Sequence, residues 1–178
     1  MTIYLMPIGD IDLLIIEQIR QAVICAFGMP VEILAMTSNP TYAYEPKRNQ
    51  YYSARILEKL TELIPNPDDK ILGIANVDLA TPVLTFVFGE AQLNGNACVI
   101  SLERLKQEFY QLLPNQQLLI SRAVKEAVHE LGHTFGLLHC HDRACVMHFS
   151  SNIVGIDQKQ LNFCADCLTV LKKKLQSL

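Results

Sequence analysis

The chain has 178 residues, of which 50% are hydrophobic and 19% are charged, and its formal net charge is −3. This length and composition predict a single folded domain and argue against a disordered chain. A weakly acidic protein lacks the basic surface that phosphate backbones require, so we expect no nucleic-acid partner. We identify no signal peptide at the N-terminus and no apolar run of the roughly 20 residues that a membrane span needs, so we expect a soluble cytoplasmic protein.

The first 64 residues alternate between strand patterns and helix patterns. Short apolar runs predict strands, and apolar residues at helical spacing predict helices that end at a glycine or a proline. Residues 37–49 contain two prolines and many polar residues, which predicts a loop. The predicted elements are strands at 3–6 and 31–35 and helices at 10–27 and 51–64.

The rest of the chain begins with three predicted strands and continues with two helices. The sequence Asn94-Gly95-Asn96 lies between the second and third of these strands and is typical of a hairpin turn. Residues 132–163 show no regular period and are dense in histidine and cysteine. The predicted elements are strands at 70–77, 84–91 and 97–102 and helices at 116–131 and 164–175.

The predicted helix at 116–131 leads into the sequence HELGH, which starts at His129. Residues four apart lie on the same helix face, so His129 and His133 can both bind one metal ion. Glu130 stands beside the first ligand, where its carboxylate can reach a metal-bound water without binding the metal. This spacing predicts a catalytic zinc site with Glu130 as general base.

The six residues after His133 extend the motif to HExxHxxGxxH and supply a third histidine, His139. A continuing helix could not bring His139 back to the same metal ion. Gly136 permits the required sharp turn because glycine adopts positive φ without steric penalty. Three neutral imidazoles leave a fourth position for water, as a catalytic zinc site requires.

A second metal site is predicted from four cysteines in two close pairs, Cys140 with Cys145 and Cys164 with Cys167. Four thiolates at such spacing suit a closed tetrahedral structural zinc. Two disulfides or four unrelated buried thiols are the alternatives, and both are disfavoured together in a cytosolic chain. Since Cys140 directly follows His139, the cysteine-bound zinc is expected to hold the backbone that aims the third histidine.

The remaining cysteines and histidines receive no ligand role. Cys25 and Cys98 lie among apolar residues of a predicted helix and a predicted strand, so we expect both to be buried as small hydrophobic residues. His141 and His148 stand close to both sites, and we expect them at the surface or in supporting contacts.

These motifs resemble those of the archaemetzincin family, metzincin-type zinc metallopeptidases. The resemblance covers residues 129–167 and rests on HELGHTFGLLHC, HDRAC, VM and CADC. It implies an α+β fold with a twisted mixed sheet, backing helices, an active-site helix and a small C-terminal subdomain with a final helix. We therefore expect one domain over residues 1–178, with an upper subdomain at about 1–136 and a lower one at about 137–178.

The resemblance also implies a role for a methionine and for a strand. In metzincins a methionine forms an apolar floor beneath the catalytic zinc, and Met147 matches that position. A late strand of the sheet borders the cleft in this family, which makes residues 84–91 our candidate for binding an extended peptide. Some metzincins carry a tyrosine two residues after that methionine, whereas this chain has Phe149.

We therefore expect a metallopeptidase that acts on peptide or protein substrates, binds two zinc ions per chain and is a monomer. A zinc-binding protein that captures peptides without cutting them is one alternative, but it would have no need of Glu130 as a base. A four-cysteine zinc module for nucleic-acid or protein contacts is the other, and the acidic charge argues against its nucleic-acid form.

Overall fold

The computed structural model describes residues 1–176. The strands are β1 (Ile3–Ile8), β2 (Val31–Ile33), β3 (Tyr44–Glu45), β4 (Gln50–Tyr52), β5 (Lys70–Ala75), β6 (Leu79–Ala80), β7 (Gly89–Ala91) and β8 (Ala97–Ser101). The helices are α1 (Leu13–Phe27), α2 (Ser53–Thr61), α3 (Gln116–Thr134), α4 (Ile153–Gln158) and α5 (Ala165–Gln176). This mixed architecture confirms the α+β fold expected from the sequence.

A five-stranded sheet in the order β2-β1-β5-β8-β7 forms the centre of the molecule. The first four strands are parallel, and β7 runs antiparallel to β8 at one edge. Side chains alternate between the two faces of the strands, so each face has its own apolar core. Helices α1 and α3 cover one face and α2 covers the other.

Helix ends agree with the capping signals in the sequence. Gly28 ends α1 with a φ of 66°, and its N–H donates to the carbonyl of Ile24 at 2.8 Å. Asn115 begins α3 by accepting a hydrogen bond from the N–H of Leu118 at 3.0 Å. Such side-chain caps satisfy N–H groups that have no partner within the helix.

The strand predicted at residues 84–91 is wrong over most of its length, because only Gly89–Ala91 belongs to a strand. Residues 81–86 form a loop whose carbonyls bond to side chains instead of to a neighbouring strand. The predicted loop at 37–49 contains the short strand β3, and β6 was not anticipated. Both belong to a small second sheet in the order β3-β4-β6.

The C-terminal part differs from the prediction in two places. Helix α3 continues to Thr134, and the segment expected to be irregular contains α4, which Asn152 caps through the N–H of Gly155 at 3.0 Å. Cys98 is buried as expected, but Cys25 is exposed, because it lies outside the apolar stripe of α1 that faces the sheet. Within residues 1–176, no helix has both the length and the hydropathy of a membrane span.

Candidate active site

Helix α3 brings the first two histidines of the motif to a cleft below the sheet edge. Its C-terminal half is buried against α1 and β8, and His129 is itself only 4% exposed. His129 and His133 stand one helical turn apart, and their Nε2 atoms are 3.1 Å apart. Both imidazoles therefore present the same ring nitrogen to one point.

Backbone carbonyls determine the tautomers of these two rings. The Nδ1 of His129 lies 2.8 Å from the carbonyl oxygen of Val146, and the Nδ1 of His133 lies 2.7 Å from that of Leu137. An Nδ1–H that donates to a carbonyl leaves Nε2 as an unprotonated lone pair.

Two lone pairs facing each other at 3.1 Å repel unless a cation lies between them. A tetrahedral zinc ion with Zn–N bonds of about 2.0–2.1 Å places its nitrogen ligands roughly 3.3 Å apart. The separation of the two Nε2 atoms therefore fits a shared metal ion.

A sharp turn after α3 brings the third histidine to the same point. Gly136 has a φ of 82° and donates its N–H to the carbonyl of His133 at 2.9 Å. The His139 ring centroid then lies 5.3 Å from that of His129 and 4.9 Å from that of His133. One ligand atom from each of the three histidines lies within 4.8 Å of the others. This is the arrangement of three ligands around one ion.

The surrounding protein keeps the three imidazoles neutral. Burial lowers the pKa of His129 well below its ordinary value, and burial also lowers the pKa of His133 and His139. Histidine binds metal ions in its neutral form. The cluster is therefore ready to bind a cation at neutral pH without first losing protons.

The side chain of Glu130 extends from α3 toward Gly89 of the edge strand β7. The residue is 6% exposed, and a Cβ added at Gly89 would lie 2.6 Å from its Cγ. Burial raises the pKa of Glu130 well above its ordinary value, with a further contribution from the nearby Glu126 carboxylate. A carboxylate with a raised pKa holds a proton more readily, which suits a group that must accept one.

Met147 lies directly beneath the histidine helix. It is fully buried, and a Cβ added at Gly132 would lie 2.5 Å from its sulfur. Gly132 stands on α3 immediately before His133. The absence of a side chain there lets Met147 contact the helix backbone closely, on the side where the two histidines are held.

The four predicted cysteines come together behind the histidine cluster. Their sulfur atoms all lie within 4.8 Å of one another, and the sulfurs of Cys140 and Cys164 are 3.7 Å apart. A disulfide bond is about 2.05 Å long, whereas sulfur ligands of a tetrahedral zinc lie about 3.8 Å apart. All four cysteines are free thiols, so the alternative of two disulfides is wrong.

The charge state of these thiols differs from one to another. The backbone N–H of Cys167 lowers the pKa of Cys164, whereas burial raises the pKa of Cys145 and Cys167. The surroundings therefore favour the thiolate at Cys164 and the protonated thiol at Cys145 and Cys167, where a bound cation would stabilise the thiolates.

Hydrogen bonds connect the cysteine cluster to the segment that contains Met147. The N–H of Cys140 donates to the carbonyl of Met147 at 2.9 Å. A second contact links the same segments, because Nδ1 of His148 lies 2.9 Å from the carbonyl oxygen of Cys140. His148 thus supports the backbone between the two clusters, whereas His141 is exposed and is a member of neither group of potential metal ligands.

A buried ion pair beside the histidines was missed by the sequence reasoning. Glu126 Oε1 lies 2.7 Å from Lys159 Nζ, and the two side chains are 5% and 1% exposed. Glu126 could have been found, because it stands on α3 one turn before Glu130. Nothing in the sequence marks Lys159, which reaches the site from the end of α4.

The three histidines and Glu130 line a cavity of about 600 Å³. Its walls are largely apolar, and three carboxylates lie among them. The apolar lining includes Leu84, Phe86, Phe88, Leu93, Leu138 and Phe149, and the carboxylates are Glu90, Glu126 and Glu130. A cavity of this size next to a three-histidine cluster is where a substrate side chain would be bound.

The sequence matches peptidase family M54 over residues 14–173. The archaemetzincin of Methanocaldococcus jannaschii is 44% identical over 176 residues, which cover 99% of this chain and 93% of that protein. The crystal structure of the Methanopyrus kandleri archaemetzincin has a TM-score of 0.86 at 37% identity and covers 99% of this chain and 96% of that one. The Archaeoglobus fulgidus archaemetzincin complexed with malonate has a TM-score of 0.82 at 33% identity, with 96% and 99% covered.

The fold, together with these matches, first defines a class of enzyme: the protein is a metallopeptidase, a hydrolase of peptide bonds. The match to the family model covers residues 14–173, and the solved Methanopyrus kandleri archaemetzincin has the same fold over 99% of this chain. The chain belongs to peptidase family M54, the archaemetzincins. The family resemblance drawn from the sequence motifs is therefore confirmed.

Proposed function

We propose that this metallopeptidase cuts peptide bonds at a zinc ion held by His129, His133 and His139, with Glu130 as the general base. The observation that carries the proposal is the 3.1 Å distance between the Nε2 atoms of His129 and His133, which a cation bound by both would stabilise. Burial of Glu130 next to that point supports its assignment.

A zinc ion held by His129, His133 and His139 would supply Lewis-acid chemistry, which polarises a scissile carbonyl and lowers the pKa of water to about 7. Glu130 accepts a proton from the attacking water and returns it to the amine nitrogen of the departing product. Its enclosure between α3 and Gly89 keeps the carboxylate oriented and limits competing contact with bulk water. Phe149 has no hydroxyl group, so we assign it no part in stabilising the oxyanion.

An extended peptide substrate would pair with the free edge of β7. The carbonyl of Phe88 accepts from Ser101, and the N–H of Gln92 donates to Ala97, so these positions face β8. Hydrogen bonds alternate along an antiparallel pair, which directs the N–H and C=O groups of Gly89 and Ala91 away from β8. Both residues line the cavity, so a substrate strand could add to the sheet there.

We further propose a second, structural zinc bound by the four cysteines Cys140, Cys145, Cys164 and Cys167. The 3.7 Å distance between two of their sulfurs supports it. Such a site would anchor the backbone that carries His139, and residues 137–178 would act as a lower subdomain built around it. Thiolate ligands persist in a reducing compartment, so we place the enzyme in the cytoplasm.

The proposal is tested by exposing a diverse peptide library to the zinc-loaded protein and reading the products by mass spectrometry. The matched control is Glu130→Gln, which preserves the shape of the side chain and removes its basicity. We expect cuts with the parent protein, none with the variant, and two zinc ions per chain in both by elemental analysis. Undiminished cutting by the variant would overturn the role of Glu130. A protein with two zinc ions that binds peptides but cuts none would instead be a peptide-capturing protein.

A further inference from the structure

One wall of the cavity is a loop with an exposed tip, of which only the last residue, Phe86, packs against the apolar core. We call residues 81–86 the wall loop; it connects β6 to β7, and the N–H of Val87 closes its base on the carbonyl of Leu79 at 3.0 Å. Val83 and Leu84 are 89% and 53% exposed. Packing of these side chains therefore cannot determine the conformation of the loop.

The guanidinium group of Arg48 binds three backbone carbonyls of the wall loop. Arg48 donates from Nη1 to the carbonyl of Thr81 at 2.7 Å and from Nη2 to the carbonyls of Leu84 and Thr85 at 2.7 and 2.9 Å. Gln50 adds a bond from Nε2 to the carbonyl of Thr85 at 2.9 Å. Planar guanidinium donors can bridge several carbonyls at once, which a lysine ammonium cannot reproduce.

A second arginine supports the other end of the loop. The guanidinium of Arg104 lies 4.2 Å from the ring centroid of Phe86, and Asp78 fixes it by two bonds of 2.6 and 2.8 Å. Asp78 also accepts from Gln50 Nε2 at 2.9 Å, so both supports belong to one polar network. Neither arginine lines the cavity.

The wall loop contributes two threonines, Thr81 and Thr85, and two large apolar side chains to the cavity lining. Leu84 and Phe86 line the cavity, and Leu138 and Phe149 stand in its lining as exposed apolar residues, 67% and 58% exposed. A bulky aliphatic or aromatic side chain placed between them would remove this surface from water.

We propose that the wall loop determines specificity for a bulky apolar substrate side chain, and that Arg48 is the residue that positions it. The inference rests on the proposed function, since it concerns the substrate of the same cleft. Arg48 acts through the loop and touches neither the histidines nor Glu130.

The test measures binding separately from cleavage. Labelled alanine-based hexapeptides, each with one leucine moved through the six positions, are titrated into the zinc-loaded Glu130→Gln protein and followed by fluorescence anisotropy. We expect one position to favour leucine over alanine by at least about tenfold, since a single methylene group in an apolar pocket is already worth roughly that factor. Leu84→Ala and Arg48→Met in the same background should reduce that preference to less than threefold, and Arg48→Lys should restore only part of it.

A matched control removes an arginine elsewhere: Arg20→Met breaks a surface pair with Glu17 and should leave the leucine preference unchanged. For peptides that the parent protein cleaves, Arg48→Met is also made in the parent, which retains Glu130. There it should raise KM for the leucine peptide more than it lowers kcat. A leucine preference that survives both Leu84→Ala and Arg48→Met overturns the inference, as does the lack of any preference in the parent. Binding is measured in a protein that does not cleave, so the leucine preference can be determined even if the parent cuts no peptide. A lack of cleavage would contradict the proposed function, whereas it would not affect the test of the wall loop.

Discussion

Replacing Gly89 with alanine tests whether the edge strand sets the position of the catalytic carboxylate. The Cβ of the new residue would lie 2.6, 2.7 and 2.8 Å from the Cγ, Oε1 and Cδ of Glu130. Ordinary contact begins at 3.4 Å, so the carboxylate or the strand must move by about 0.8 Å. The backbone of Gly89 has no positive φ, so alanine introduces a steric change without backbone strain.

The expected effect is larger on catalysis than on stability. Overpacking typically destabilises by about 1–3 kcal/mol, whereas a displacement of roughly 1 Å in a catalytic group can lower the rate about 10²-fold. We therefore expect kcat/KM to fall about 10- to 100-fold while the melting temperature falls by only a few degrees. Bound zinc should be unchanged, because the Val146 and Leu137 carbonyls still orient His129 and His133.

Gly73→Ala provides the matched control. A Cβ at Gly73 would lie 2.8 Å from Leu60 Cδ1 on the opposite face of the sheet, where it overpacks the core without touching the site. We expect this variant to lose stability and keep its kcat/KM, as measured by peptide cleavage and thermal unfolding. The reasoning is refuted if Gly89→Ala retains kcat/KM within twofold of the parent, or if both variants lose activity in proportion to stability.

Three further predictions concern stability and metal content. Burial raises the pKa of Glu130 above its ordinary 4.5, so the metal-free protein loses stability as the pH rises from about 4.5. Glu130→Gln should therefore melt higher than the parent when both are metal-free, by a margin that grows from pH 5 to pH 8; an equal margin at both pH values contradicts this. Cys140→Ser should lower the melting temperature and the zinc content of both sites, and unchanged values would refute the link between them. Met147→Ala should destabilise by about 2–5 kcal/mol in denaturant unfolding because it leaves a cavity, whereas Met147→Leu should cost less than about 1.5 kcal/mol, and similar losses in both would argue against tight packing on Gly132.

The residues that form each cluster could be predicted because their chemistry depends on short spacings. Four residues of helix bring His129 and His133 onto one face, and Gly136 permits the turn that returns His139. The paired cysteines are likewise marked by their distances along the chain. Apolar periodicity located most of the helices and parallel strands, because burial on one or both faces leaves a repeating pattern.

The contacts between distant parts of the chain followed only from the tertiary structure. Gly89 sits against Glu130, the carbonyl of Val146 fixes the tautomer of His129, and Lys159 pairs with Glu126, yet no local pattern relates these partners. The strand predicted at residues 84–91 failed for the same reason: the carbonyls of the wall loop bond to Arg48, more than 30 residues earlier in the chain. Sequence periodicity records which face of an element is buried, whereas the order of strands and the close approach of side chains arise only when the elements pack together.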